Sequence, residues 1–324
     1  MFEQSRYVWQ DGALIPWSDA TIHVSSHALH YGTGVFEGIR CYATDEGPAI
    51  FRLDAHLERW LASADVYGIR MRYSKQELAD AICATIRQNG FDGCYVRPIC
   101  YYGSHSLGLI PDRCPIGVSI LAWPWKNLHS GDPLTKGVHI TVSRWTKFHS
   151  SMMPTTAKAC GQYLNSIIAL REAAGAGFDE ALLLDREGTI AEGSGENLFF
   201  VKDNVIYTND ERNSILLGVT RDSVITLARD LGFEVRVGAM TVDALLAADE
   251  AFFTGTAAEV APIRAVDHKP IGAGVRGPAT EAIQKAFFAA VTGRVNRYRD
   301  WLTYVAAKAA PAAEHRTNTA ASAD

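Results

Sequence analysis

The sequence predicts a two-domain protein of mixed α/β (α+β) architecture. Its 324 residues correspond to about two domains of ordinary size. Hydrophobic residues make up 48% and charged residues 21%, as in globular proteins, which excludes a disordered chain, a collagen-like fibre and a coiled coil. Strand-like and helix-like hydrophobic patterns follow one another in both halves of the chain, so neither half is predicted to be all-α or all-β.

Hydrophobic periodicity places the individual elements. Extended segments are predicted over residues 21–28, 35–42, 94–102, 116–123, 138–143, 181–184 and 197–201. Apolar residues at helical spacing predict helices that begin near Asp54, Ser74, Tyr163, Thr220 and Thr280. The second helix has the clearest start, because Ser74 and Glu77 form a capping box. A polar, turn-rich stretch at 126–133 is the candidate linker, and the aperiodic residues from 306 onward predict a flexible tail.

Charge and cysteine content narrow the class of protein. The 31 basic and 36 acidic residues give a net charge of −5, so there is no basic excess to bind nucleic acid or a membrane surface. The six cysteines form no Cys-x-x-Cys pair, which argues against a metal site and a disulfide framework. The N-terminus lacks signal-peptide features, and the longest apolar run is too short to span a bilayer. We therefore expect a cytoplasmic enzyme that acts on small molecules.

The most unusual segment surrounds Lys158. This lysine lies among small residues directly before the apolar helix at Tyr163. An isolated lysine is most often a solvated surface residue. If Lys158 is instead buried, desolvation lowers its pKa and leaves a neutral amine that can attack an aldehyde. The small neighbours would then leave room for a flat cofactor.

Four further segments offer groups that suit such a cofactor, and each has an ordinary structural explanation as well. Glu192, in a glycine-rich turn, is either a solvated acid or a fixed charge beside a protonated ring nitrogen. The turn before Thr220 is either a threonine cap or a phosphate site at a helix N-terminus. The turn at 254–259 either ends a strand or offers hydroxyl and N–H groups. Arg59 is either a solvated helix residue or a phosphate clamp.

In this order, the segments resemble the class IV (fold type IV) pyridoxal-phosphate aminotransferases. The pattern Glu-x-Ser-x-x-Asn-Leu-Phe over 192–199, Thr208, and Leu-x-Gly-Val-x-Arg over 216–221 look like the consensus of that class. Residues 31–40, 95–98 and 255–259 look like the bacterial branched-chain amino-acid aminotransferases. The resemblance extends from about residue 7 to 303, over nearly the whole chain.

The resemblance implies pyridoxal 5′-phosphate (PLP) as cofactor and a role for each cofactor-binding residue. Lys158 would form the internal aldimine with PLP and then move the proton between the substrate Cα and C4′ of the cofactor. Glu192 would pair with the pyridine nitrogen, and Tyr163 would hydrogen-bond the ring oxygen O3′. The phosphate would be held by Arg59, Val219, Thr220 and Thr256.

The resemblance also implies how a substrate is bound. The α-carboxylate would bind to Tyr95 and to the backbone of Thr256, Ala257 and Ala258. The side-chain pocket would be shaped by Tyr31, Phe36 and Gly38, with part of it lent by a second subunit. Arg40 and Arg97 would support Tyr95 and receive the distal carboxylate of glutamate.

The implied activity is transamination between L-leucine, L-isoleucine or L-valine and 2-oxoglutarate by ping-pong chemistry. The implied architecture has a small N-terminal α/β domain at 1–125, a linker at 126–137 and a larger PLP-binding domain with a pseudo-barrel β core at 138–305. The residues at 306–324 would form the flexible tail. The cofactor would lie in the cleft between the domains, and the protein would be a homodimer or a higher homo-oligomer.

Other activities stay open at this stage. D-amino-acid transaminases, (R)-amine transaminases and aminodeoxychorismate lyases share the fold, whereas Tyr95, Arg97 and the 255–259 turn favour L-amino acids. The run at 272–277 matches the dinucleotide fingerprint of an NAD-dependent dehydrogenase, although Pro278 follows it and no buried strand precedes it.

Two departures from the family pattern, both near the predicted pocket, also leave the substrate range open. Leu128 stands where related enzymes commonly have a pocket tyrosine, and the loop at 103–109 departs from the typical pattern.

Overall fold

A computed structural model describes residues 3–125 and 132–305, which form eight α-helices and two β-sheets. The helices are α1 (His27–Tyr31), α2 (Leu53–Val66), α3 (Lys75–Asn89), α4 (Pro133–Lys136), α5 (Tyr163–Gly175), α6 (Val219–Asp230), α7 (Val242–Leu246) and α8 (Pro278–Val291). The strands are β1 (Tyr7–Gln10), β2 (Ala13–Pro16), β3 (Gly34–Phe36), β4 (Ile39–Tyr42), β5 (Ala49–Phe51), β6 (Cys94–Tyr102), β7 (Ile116–Trp123), β8 (Val138–Val142), β9 (Glu180–Leu184), β10 (Ile190–Gly193), β11 (Asn197–Lys202), β12 (Val205–Thr208), β13 (Glu234–Val237), β14 (Glu250–Gly255), β15 (Glu259–Val266), β16 (Lys269–Pro270) and β17 (Leu302–Tyr304).

The first sheet is antiparallel and is built mainly from the N-terminal part of the chain. Its strand order is β17-β5-β4-β6-β7-β1-β2, and β3 pairs with β6. Helices α2 and α3 contribute buried Trp60 and Ile82 to one hydrophobic core with Val96 and Ile120 of the sheet. Burial of these large apolar side chains is the main force that holds the layer together.

The second sheet combines parallel and antiparallel strands and curls into a half-barrel. Its order is β10-β9-β8-β15-β14-β11-β12-β13, and β16 pairs with β15. Helices α6 and α8 pack against it, with Val224 and Phe287 in one core with Phe199 and Phe252. The rings of Phe199 and Phe252 are stacked with their centroids 5.1 Å apart, a spacing typical of favourable aromatic pairs.

Several predicted elements are confirmed. Strands β6 and β7 have the predicted bounds, and α3 begins with the predicted capping box at Ser74 and Glu77. The prediction of an extended segment at 21–28 is wrong, because α1 begins at His27. This segment pairs only through an isolated bridge between Ser26 and Ser104, and local bonds occupy the rest: the Ser26 hydroxyl donates to the His23 carbonyl, and the His23 ring contacts Ser25.

The last described strand joins the two halves of the chain. Leu302 of β17 pairs with Phe51 of β5, so residues from the end of the chain complete the edge of the first sheet. After the strands of the second sheet, the chain therefore returns to the first sheet at β17. The division into two domains joined by a linker at 126–137 stays a proposal. Residues 126–131, including Leu128, and the predicted tail at 306–324 lie outside the described residues.

Two features are absent from the described part of the chain. Within 3–125 and 132–305, no helix has the length and apolarity needed to cross a bilayer. Within the same ranges, no cluster of three His, Cys, Asp or Glu side chains has the arrangement of a metal site. The cytoplasmic location stays a prediction.

Candidate active site

One cleft is lined by side chains from both sheets. It collects most of the predicted cofactor and substrate residues, namely Gly38, Arg59, Tyr95, Lys158, Tyr163, Glu192, Val219, Thr220, Thr256 and Ala257. Residues separated by more than two hundred positions in the chain therefore meet at one place.

Lys158 is fixed by its backbone and points its amine into this cleft. Its N–H donates to the Ser63 hydroxyl of α2 at 3.0 Å, and its carbonyl accepts from the Phe36 N–H at 3.0 Å. Its Nζ donates to the Tyr163 hydroxyl at 2.6 Å. Burial, reinforced by the positive charge of Arg59, lowers the pKa of Lys158 to about 8. The amine is therefore neutral in a much larger fraction near neutral pH than that of an ordinary lysine.

Glu192 is a fixed carboxylate rather than a solvated one. Its Oε2 accepts from the Asn197 amide at 3.1 Å and from the Leu216 N–H at 3.0 Å, while Lys147 Nζ lies 2.6 Å from Oε1. Sequence reasoning missed Lys147, which also lines the cleft. Burial by itself would lower the pKa of Lys147, but the Glu192 carboxylate raises it above its ordinary value. The cleft thus holds one lysine that readily loses its proton and one that keeps it.

A second acid in the cleft, Glu196, was also missed. It is buried, and its Oε2 accepts from the Gly195 N–H at 3.0 Å. Burial, together with the nearby carboxyl group of Glu180, raises the pKa of Glu196 well above its ordinary value. Glu196 therefore holds its proton more tightly than an ordinary glutamate.

The N-terminus of α6 offers unsatisfied donors to the cleft. Gly218 is the N-cap and has no side chain to offer, and the described part of the chain shows no side-chain cap for the first N–H groups, which belong to Val219 and Thr220. A Cβ on Gly218 would lie 2.2 Å from the Asn197 Oδ1, so the close approach requires glycine here. The buried hydroxyl of Thr254, which also lines the cleft, has no hydrogen-bond partner among the described residues. Free N–H groups and an unpaired hydroxyl are the donor set that a phosphate group requires.

Arg59 also lines the cleft, where it pairs with the buried carboxylate of Glu37. Sequence reasoning missed Glu37. The Nε and Nη2 of Arg59 donate to the two oxygens of Glu37 at 2.7 and 2.8 Å, and Nη1 donates to the Leu217 carbonyl at 2.9 Å. Glu37 also contacts Nδ1 of the buried His56 at 2.8 Å. Burial by itself would raise the pKa of Glu37, but Arg59 and His56 hold it well below its ordinary value. These bonds leave one N–H on each terminal nitrogen of Arg59 for a further acceptor.

Tyr95 and its neighbours form another part of the cleft. A Cβ on Gly38 would lie 1.9 Å from the Tyr95 hydroxyl, so only glycine lets this ring adopt its position. Arg97 lies over the rings of Phe36 and Tyr95, with its guanidinium carbon 4.7 and 5.5 Å from their centroids. Its Nε has no hydrogen-bond partner among the described residues.

Five predicted substrate residues lie outside the lining of the cleft. Phe36 packs against Tyr163 with ring centroids 4.9 Å apart, and Arg97 lies over Phe36. Arg40 is paired with Glu259, and Ala258 is buried in the turn that follows Thr256. Tyr31 is separate from these residues in the single chain: it is 43% exposed and donates to the Leu107 carbonyl at 2.7 Å.

The glycine-rich run at 272–277 has no free helix N-terminus to offer a dinucleotide. The run leads into α8, whose first N–H groups are already bound by the buried carboxylate of Glu250. This carboxylate accepts from the N–H groups of Ala279 and Thr280 at 2.9 and 2.8 Å. A pyrophosphate needs the same donors, so the geometry disfavours the dehydrogenase alternative.

Comparison with known proteins shows the family and the fold. The sequence model described as amino-transferase class IV matches residues 34–266. The branched-chain-amino-acid aminotransferase of Pseudomonas aeruginosa is 46% identical over 305 residues, which are 94% of this chain and 99% of that protein. The corresponding protein of Escherichia coli K12 is 42% identical over 307 residues, 94% of this chain and 98% of that protein.

Two solved structures agree over the same length. The T.th. branched-chain amino acid aminotransferase with pyridoxamine 5′-phosphate has 47% identity and a TM-score of 0.91, and the match covers 94% of this chain and 99% of that one. The E. coli branched-chain amino acid aminotransferase has 42% identity and a TM-score of 0.92, and the match covers 94% of this chain and 100% of that one. The fold is therefore that of the fold type IV aminotransferases. The chain belongs to the class IV aminotransferases and, within them, to the branched-chain amino-acid aminotransferase family.

Proposed function

We propose that this protein transfers the amino group of L-leucine, L-isoleucine or L-valine to 2-oxoglutarate, with PLP as cofactor. The products would be a branched-chain 2-oxo acid and L-glutamate. The observation that carries the proposal is the convergence of the Lys158 amine, the Glu192 carboxylate and the open N-terminus of α6 in one cleft. The names of the relatives, and the pyridoxamine 5′-phosphate of one solved neighbour, support it.

The cleft residues fit PLP by the chemistry of their donors and charges. When bound, PLP supplies an aldehyde and an electron-withdrawing ring. Glu192 would hold a proton on the ring nitrogen, because its carboxylate is fixed by three contacts. The phosphate would bind to Arg59, Val219, Thr220 and Thr256.

Lys158 would take the proton from the substrate Cα and return it as a general base and acid. Its lowered pKa suits this role, because a base that is neutral near the operating pH transfers protons efficiently. The Tyr163 hydroxyl, 2.6 Å from Nζ, would hold the amine in place between these steps.

The substrate would bind between Tyr95 and the turn at 256–258, with its side chain beside Phe36. The same pocket must accept an apolar chain and, in the second half-reaction, a distal carboxylate. Arg97 is suited to the second task, because its guanidinium rests on aromatic faces and keeps an unpaired N–H.

The proposed activity is tested by incubating the purified holoenzyme with L-leucine and 2-oxoglutarate. Formation of L-glutamate and 4-methyl-2-oxopentanoate in equal amounts is the expected result. D-leucine and (R)-1-phenylethylamine, assayed in parallel, are expected to react at least ~100-fold more slowly, because the proposed pocket would orient the Cα–H bond of one enantiomer only towards Lys158. Faster turnover of either control would favour the alternative transaminases of this fold.

Replacing Arg97 by methionine is expected to impair the dicarboxylate half-reaction selectively. We expect kcat/KM for 2-oxoglutarate to fall about 100-fold, and kcat/KM for L-leucine to fall only a few-fold through weaker support of Tyr95. Single-turnover absorbance changes of each half-reaction measure the two values separately. Arg171→Met, at an exposed position of α5, is the matched control. Equal losses for both substrates would contradict the role of Arg97.

We also propose that two copies of the chain form a homodimer and that Tyr31 acts in the cleft of the other subunit. Leu109 and Ile110 are 80% and 72% exposed, and Leu29 is 60% exposed, close to Tyr31 and Leu107. An exposed apolar patch of this kind usually marks an interface. Light scattering of the wild type is expected to give at least twice the chain mass, as for a homodimer or a higher homo-oligomer, and Ile110→Asp is expected to shift it towards the monomer. A monomeric wild type at micromolar concentration would contradict the proposal.

A further inference from the structure

The hairpin between β14 and β15 contains a strained residue beside the cleft. Gly255 pairs with Glu259, so residues 256–258 form a three-residue loop. Glu259 has a φ of 58°, in the left-handed region that glycine or asparagine usually occupies in such loops. A larger residue there carries a conformational cost, so its side chain must make compensating contacts.

The side chain of Glu259 makes these contacts with the other sheet. The carboxylate is buried, and its Oε1 accepts from the Tyr42 hydroxyl at 3.0 Å. The same oxygen lies 3.5 Å from Nη2 of Arg40. Tyr42 and Arg40 are both on β4, so Glu259 links the hairpin of the second sheet to a strand of the first.

Strand β4 also supports the residues predicted to bind substrate. Arg40 is the register partner of Tyr95 on β6, and Gly38, directly before β4, lies against the Tyr95 hydroxyl. The loop that Glu259 ends carries the predicted α-carboxylate donors at 256–258. Glu259 therefore connects the two halves of the proposed substrate site.

Glu259 pairs with a positive charge on the strand that lies beside Tyr95. Within the described ranges, it is the one carboxylate that forms an ion pair with Arg40. Nε of Arg40 has no hydrogen-bond partner there, and its guanidinium carbon lies 4.9 Å from the centroid of the Tyr42 ring. Arg97, in contrast, forms no ion pair with any described carboxylate. The two arginines next to Tyr95 therefore differ in charge compensation.

We propose that Glu259 is a specificity-determining residue that keeps Arg40 paired and away from the substrate side chain. An uncompensated guanidinium beside an apolar side chain would be costly to desolvate. With Arg40 held in its ion pair, the pocket accepts a branched aliphatic chain, and Arg97 remains to receive a distal carboxylate, in place of the two arginines that the resemblance implies for this role. This inference rests on the proposed function, because it concerns the choice between apolar and dicarboxylic substrates in the same cleft.

The test compares two unreactive acids on the holoenzyme. Glutarate represents the dicarboxylic substrate, and 4-methylvaleric acid represents the branched aliphatic one. Calorimetry measures the dissociation constant of each acid with the wild type and with Glu259→Gln. We expect Glu259→Gln to bind glutarate about tenfold more tightly, because Arg40 becomes free to pair with its distal carboxylate, and to bind 4-methylvaleric acid slightly more weakly.

Two further variants separate charge from geometry. Glu259→Gly relieves the left-handed backbone and removes the carboxylate, so it keeps the test available if glutamine destabilises the hairpin; the same shift in preference is expected. Tyr42→Phe removes a hydrogen bond to Glu259 but keeps its charge, and is expected to leave the preference unchanged. Glu281→Gln, the same substitution at an ion pair of α8 outside the cleft, is the control.

The outcomes distinguish this inference from the proposed function. If the wild type binds both acids but Glu259→Gln and Glu259→Gly change both affinities equally, or change neither, the assignment of Glu259 is wrong. If the wild-type holoenzyme binds neither acid, the proposed function fails, and the assignment of Glu259 fails with it.

Discussion

Lys158→Ala is expected to lower kcat about 10³- to 10⁴-fold, the largest effect of any single substitution in this protein. The variant loses the amine that would take the proton from the substrate Cα. The phosphate donors around α6 are untouched, so substrate KM and cofactor binding are expected to change much less than kcat. Steady-state kinetics with L-leucine and 2-oxoglutarate, at saturating PLP, measure this separation.

Lys147→Ala is the matched control for this substitution, because Lys147 is the other lysine in the same cleft. It keeps its proton beside Glu192, so it cannot serve as the base. We expect its loss of kcat to be at least ~10-fold smaller than that of Lys158→Ala, and we expect added methylamine to restore part of the rate in the Lys158 variant alone. A Lys158→Ala enzyme that retains a tenth of the wild-type kcat would contradict the assigned role.

Glu37→Gln is expected to destabilise the fold by about 3 to 5 kcal/mol, because it leaves buried positive charge without its partner. The Glu37 carboxylate is completely buried and receives two bonds from Arg59 and one contact from His56. Glutamine has nearly the same size, so the expected loss reflects charge rather than packing. Urea unfolding of the wild type and the variant measures the difference.

The effect of Glu37→Gln should depend on pH in a defined direction. In the folded protein the pKa of Glu37 lies well below its ordinary value near 4.5. The stabilisation is therefore complete above about pH 4.5 and decreases as the pH falls further, since the unfolded chain then binds the proton more readily. Glu46→Gln, which removes a partly exposed pairing with Arg299, is the control and is expected to cost less than ~1 kcal/mol. A Glu37→Gln variant as stable as this control at pH 7 would contradict the account.

Local signals predicted those elements whose structure depends on neighbouring residues in the chain. The bounds of β6 and β7 follow from β-rich runs, and the start of α3 follows from a capping box. The prediction for 21–28 was wrong because α1 begins at His27, next to local hydrogen bonds of Ser26 and His23 that the pattern does not show. Resemblance, rather than periodicity, predicted the curled sheet and the meeting of its residues in one cleft.

Three of the residues that sequence reasoning missed depend on partners far away in the chain. Glu37 lies within the 31–40 motif, but its role depends on Arg59, which belongs to a different element. Lys147 lies in a polar loop and gains importance only because it pairs with Glu192. Glu259 ends a recognised turn, but its link to Tyr42 joins residues 217 positions apart. A charged residue that pairs with a partner far away in the sequence leaves no periodic pattern, so only the folded structure identifies its partner.

Chemical trapping tests most directly whether the Lys158 amine carries the cofactor. The holoenzyme is reduced with borohydride at pH 8, digested, and the peptides are mapped by mass spectrometry. We expect one phosphopyridoxyl group per chain, attached to Lys158, while Lys147 remains unmodified because it stays protonated. A label on Lys147 or on another lysine, or an unlabelled protein after reduction, would contradict the claim.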